Sequence, residues 1–110
     1  MKFRSRSYKI EDGSGVIHKV RVYVSSPEPR VGNMRSFNLL DCRTNLPLLV
    51  GYMMPTKSSR CYTGMLLARP STKNTNCLFT DAYTISCCMW EIANAYRKIL
   101  GPNSRFIYDF

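Results

Sequence analysis

The sequence predicts an α+β fold: a mostly antiparallel sheet of four to six strands, packed on one face by one long C-terminal helix. Three patterns carry that reading. Val20, Val22 and Val24 alternate with Lys19, Arg21 and Tyr23, the period of a strand with one dry and one wet face. Clusters of Gly, Pro, Asn, Asp and Ser punctuate the first 80 residues into short runs of strand length. Ile85, Met89, Ile92, Tyr96 and Ile99 then recur at helical spacing. With 110 residues, folding hides roughly two-thirds of the unfolded surface, which suits one compact domain over 1–110.

The elements follow in order. Lys2, Arg4, Arg6 and Tyr8 alternate with Phe3, Ser5, Ser7 and Lys9, and Glu11-Asp12-Gly13-Ser14-Gly15 is turn chemistry, so the first two strands form an N-terminal hairpin. Ser25-Ser26-Pro27-Glu28-Pro29 ends the second strand, and Arg30 to Ser36 reads as a mobile loop. Phe37 to Arg43 and Leu48 to Met54, joined by Thr44-Asn45-Leu46-Pro47, make a second hairpin whose apolar runs look buried on both faces. Cys61 to Ala68 is a short strand with a bulge expected at Gly64, and 69–76 is a loop. Asp81 is the expected N-cap of a helix over 82–100, with Arg97 and Lys98 complementing the dipole in its last turn and Gly101-Pro102 stopping it. The tail 105–110 is apolar and aromatic enough for a terminal strand or a docking segment.

Charge narrows the function classes. Sixteen Lys and Arg against seven Asp and Glu give a net charge of +9, which draws a chain toward nucleic acid, an anionic membrane or an acidic protein face. The excess sits before Asp81, since the acids and bases of the last 30 residues balance. No apolar run approaches the ~20 residues of a membrane-spanning helix, and no basic amphipathic helix suits a membrane surface. The start lacks the apolar stretch of a secretory signal, five irregularly spaced cysteines make no paired framework, and no Asn-x-Ser/Thr sequon occurs. An intracellular protein, in cytoplasm or nucleus, with free and mostly buried thiols is the expectation.

Catalytic and cofactor motifs are missing. There is no Gly-x-x-x-x-Gly-Lys-Ser/Thr phosphate loop, no Gly-x-Gly-x-x-Gly, and no Cys pair at zinc spacing, so neither cofactor nor metal is expected. Cys87 and Cys88 are adjacent and diverge by about 100° on a helix. His18, the single histidine, has no evident thiol partner, and with Glu11 and Asp12 in the turn and Asp81 as a cap, Asp41 and Glu91 stay without an assigned role. The chain reads as a non-enzyme. The aromatic strand pattern of RNA-recognition motifs and the Gly-x-x-Gly loop of KH domains are also missing.

What remains is a basic surface with aromatic interleaving. If the first hairpin pairs Arg6 with Lys19 and Arg4 with Arg21, then Lys2, Arg4, Arg6, Tyr8, Lys19, Arg21 and Tyr23 share one face. Cations there neutralise phosphates while tyrosine rings stack on bases, which suits RNA or single-stranded nucleic acid. A slip by one residue sets Arg4 and Arg6 opposite valines and makes the basic row compete for the core, so one-sided burial favours the first pairing. Lys57, Arg60, Arg69 and Lys73, on the loops around the Cys61 segment, are a second candidate set, either a phosphate-contacting rim or ordinary solvated loops. Trp90 is core or a partner anchor, with core favoured, and Met53-Met54 fills the core or borders a partner surface.

The leading expectation is therefore a small basic accessory protein that binds RNA or single-stranded nucleic acid. The alternative is a protein-interaction or assembly module with an acidic partner, matrix-like or host-interfering. Low Ala and Glu with abundant Ser, Asn, Tyr and Cys lean toward a viral or eukaryotic source, and unpaired edge strands are compatible with a homo-oligomer.

Overall fold

The structure, a computed structural model, describes residues 3–55, 62–66, 76–82 and 84–108. Strands β1 (Phe3–Glu11), β2 (Ile17–Ser25), β3 (Arg35–Asp41), β4 (Pro47–Pro55), β5 (Tyr62–Leu66) and β6 (Asn76–Ala82) precede helix α1 (Ile85–Leu100) and strand β7 (Arg105–Ile107). All pair antiparallel in the order β6-β5-β4-β3-β2-β1-β7. Six strands form a meander because each turn returns the chain beside the strand it has just left. The helix then carries the chain back across the sheet, and β7 closes against the first strand.

The α+β class and the antiparallel sheet under one helix are as expected, with seven strands among the described residues, one above the expected four to six. β6 comes from a segment without a strand signal, and β7 takes the first of the two roles open to the tail, a terminal strand. Residues 76–82, adjoining the expected loop, pair with β5, and the start of the tail pairs with Lys9–Glu11 of β1. The bulge expected at Gly64 is present, since the β5–β6 register shifts on both sides of it. Residues 30–36 are more ordered than a loop. Glu28 caps a 3-10 turn at Pro29–Val31, its carboxylate accepting from the Arg30 N–H, and Arg35 already belongs to β3.

The core lies between one sheet face and the helix. Ile10, Val20, Val22, Val24, Phe37, Leu39, Leu49 and Met53 meet Ile85, Cys88, Met89, Ile92 and Ala93. Only alternate residues of β3 and β4 enter it. The second hairpin is thus buried on one face, not two: Val50, in phase with the wet side, is 39% exposed. The helix begins at Ile85, not residue 82, because β6 keeps Asp81 and Ala82 extended. Its N-cap is Thr84, whose hydroxyl accepts from the Cys87 N–H at 3.0 Å. The buried stripe therefore includes Cys88 and Ala93 and leaves Ile99 at the surface. Gly101 ends the helix at φ 127°, a conformation open to glycine, and the Arg97 guanidinium donates to the Ser104 carbonyl, tying the helix end to the approach of β7.

Candidate nucleic-acid interface

The first hairpin positions the basic residues, and its turn is built around Asp12. One carboxylate oxygen, Oδ1, accepts from the Ser14 N–H (2.9 Å), the Ser14 hydroxyl (2.7 Å) and the Val16 N–H (3.0 Å), while Oδ2 meets His18 Nε2 at 2.8 Å. These bonds, the His18 contact foremost, hold the Asp12 carboxyl well below the usual carboxylate range. Gly15 supplies the left-handed residue at φ 87°. His18 is thereby a turn anchor whose ring sits edge-on to Tyr96, with centroids 6.5 Å apart.

The register that leaves this turn differs from the expected one. Arg4 lies opposite Val24, Arg6 opposite Val22, Tyr8 opposite Val20 and Lys9 opposite Lys19. The anticipated basic row is therefore split: Arg4, Arg6 and Tyr8 project on the helix side, while Lys19, Arg21 and Tyr23 project on the other. The physical reason is Ile10. It shares the phase of Arg4, Arg6 and Tyr8 and is fully buried, so its place in the core commits the whole even-numbered set of β1 to that face. Arg4 and Arg6 nevertheless remain exposed. Lys2, Lys57, Arg60, Arg69 and Lys73 lie outside the described residues.

On the face away from the helix, among the described residues, no second layer covers the sheet. The turn at Gly32 approaches it, against the end of the Met54 side chain. Exposed Lys19 and Arg21 stand beside half-buried Lys9 and Tyr23, and across the neighbouring strands come Leu40, Val50 and Tyr52. Lys9 and the turn after β3 are contributors that alternation alone did not single out. That turn is fixed by the Arg43 N–H donating to Asp41 Oδ1 at 2.7 Å and by Asn45 at φ 57°. Its Cys42 N–H donates to the Lys19 carbonyl at 2.9 Å, bringing Cys42, Arg43 and Asn45 to the end of the basic row. Arg21, Tyr23, Leu40, Cys42 and Asn45 line a shallow hollow of about 170 Å³. Glu11, at the hairpin end of this face, is engaged by Arg105 at 2.8 Å.

This arrangement offers cations, an aromatic ring and an amide on one sheet face, which is binding chemistry. Among the described residues no three His, Cys, Asp or Glu side chains converge as metal ligands. Of the described thiols Cys88 is buried while Cys42 and Cys87 are exposed, against the expectation of mostly buried cysteines. Trp90, expected in the core, is 38% exposed beside Phe106. No described helix is long and apolar enough to cross a membrane. Compared with known proteins, the chain matches no family model, no curated protein and no solved structure.

Proposed function

We propose that this chain binds single-stranded nucleic acid, RNA foremost, across the sheet face opposite the helix. The observation that carries the reading is the in-phase row Lys19, Arg21 and Tyr23 on β2, held beside Lys9 on a face that no layer of the described residues covers. Alternate residues of a strand stand roughly 6.5–7 Å apart, a spacing at which successive side chains can follow an extended strand's phosphates while a tyrosine takes a base. Lys9 lies directly opposite Lys19, so the register sets two cationic side chains next to each other on this face, within reach of one polyanion.

The test is fluorescence anisotropy of labelled single- and double-stranded RNA and DNA over a salt series. Binding of the single strands near 150 mM salt, with a log–log slope that falls by about one for each of Lys19→Ala and Arg21→Ala, supports the reading. Equal weak binding of all probes, or affinity indifferent to both substitutions, removes it. A second reading draws on the apolar members of the same face, Ile17 and Val50, each 39% exposed, and proposes assembly of two copies through it. Concentration-dependent sedimentation abolished by Val50→Lys but untouched by salt favours that reading instead.

A further inference from the structure

A larger hollow lies on the helix side, at the sheet edge where β7 ends. It encloses about 480 Å³ and is lined by Arg6, Ser7, Tyr8, Lys9, Trp90, Phe106, Ile107 and Tyr108. Four of these are aromatic, drawn from β1, the helix and the tail. Phe106 is the hub: its centroid is 5.8 Å from that of Trp90, 5.9 Å from Tyr8 and 6.2 Å from Tyr108, all at tilted angles. Trp90 and Tyr108 stay substantially exposed, at 38% and 62%. Such a cluster leaves part of its π surface exposed, on which a further planar ring can stack.

Three details select the ring that fits. Among the described residues the lining carries the exposed cation Arg6 and no carboxylate, which favours an anionic occupant. The Tyr8 hydroxyl is buried beside Arg6 without a well-directed hydrogen bond among the described residues, so an occupant that draws the Arg6 side chain onto its phosphate uncovers a polar atom it can bond. Burial raises the Tyr8 pKa, and the Arg6 charge lowers it by less, so the phenol stays protonated and able to donate. Finally, Ser7 and Lys9 belong in phase to the opposite sheet face yet border the hollow, so it opens over the β1 edge toward Lys9 and Lys19.

We infer that this hollow is a nucleotide pocket, taking one unstacked base of a single strand against Trp90 and Phe106 with its phosphate on Arg6. The choice of a strand as the source rests on the function proposed above; the pocket chemistry does not. Trp90 is the only tryptophan in the chain, so its fluorescence reports occupancy directly.

The experiment titrates that fluorescence in the full chain with AMP, adenosine, ribose 5-phosphate and a short oligo(A). AMP and oligo(A) quench saturably, adenosine binds about tenfold more weakly than AMP, and ribose 5-phosphate leaves the signal unchanged. Arg6→Ala, at an exposed position, weakens AMP to the level of adenosine, and Tyr8→Phe weakens AMP and adenosine alike several-fold. Arg21→Ala with Tyr23→Ala, on the other face, leaves the AMP titration intact. Oligo(A) that binds by anisotropy without changing Trp90 overturns the pocket while sparing the open-face reading. Quenching by oligo(A) that survives Arg21→Ala with Tyr23→Ala and is lost with Arg6→Ala supports the pocket even if the open face binds nothing. AMP quenching without oligo(A) quenching overturns the strand as source, and tighter binding of an Asp- and Tyr-containing acidic peptide than of either overturns the nucleotide.

Discussion

Truncating Ile92 and Ile99 separately tests how the helix lies on the sheet. Both belong to the helical spacing read from the sequence, yet Ile92 is fully buried and Ile99 is 62% exposed. Ile92→Ala removes three carbons from the interface, roughly 2.4 kcal/mol at ~0.8 kcal/mol per buried methylene. The cavity left between helix and sheet raises this to about 3–4 kcal/mol. For Ile99→Ala the buried fraction leaves about 0.9 kcal/mol, offset by ~0.4 kcal/mol of improved helix propensity, a net cost of about 0.5 kcal/mol. Urea unfolding followed by far-ultraviolet circular dichroism and Trp90 fluorescence measures both. Against a total stability of roughly 5–15 kcal/mol, the first variant loses a large share of its midpoint and melts on the order of 10–15 °C lower, with an unchanged denaturant slope. Equal costs for the two variants, or a cost below ~1 kcal/mol at Ile92, would refute this helix phase.

Two further outcomes follow from the titrating groups. Because the Asp12 carboxyl is held below its ordinary 3.8, its contribution is complete above that value and declines as pH falls toward the folded-state pKa, where the unfolded chain takes up a proton that the folded chain resists. Asp12→Asn therefore flattens the acid limb of a stability–pH curve below about pH 5, and an unaltered limb argues against the turn network. Burial pushes the Cys88 thiol up to about 12, so at pH 8 only about one molecule in ten thousand carries the reactive thiolate there. In variants retaining a single cysteine, Cys87 reacts with a thiol reagent on the time scale of an exposed thiol and Cys88 at least about a hundredfold more slowly until the protein unfolds. Comparable rates would contradict the helix orientation.

Much of the fold was legible because its cues are local. The valine alternation of β2, the turn chemistry at 11–15, the Gly64 bulge and the helix with its cationic last turn are each written within a few residues. The helix start was less so. Asp81 and Thr84 are both good caps, and only the pairing of β6 with β5, a long-range contact, keeps Asp81 in a strand. The site was legible in its composition and not in its arrangement. Side chains of β1 alternate between Arg or Tyr and Ser, with no large apolar set to weigh one face against the other, so periodicity alone does not fix its register. Ile10 was the available signal, in phase with Arg6 and adjacent to the turn.

The sequence by itself determined most of the element types, the strongly basic character and the residues available for binding, since these depend on neighbours and on composition. The tertiary structure decided which of them meet. Burial of Ile10 divided the basic residues between two faces, because a strand's phase is all or none. The return of the chain through the helix brought Trp90, Phe106 and Tyr108 from the far end of the sequence to Arg6 and Tyr8 at its beginning. No local pattern encodes that meeting, because it exists only once the last strand pairs with the first.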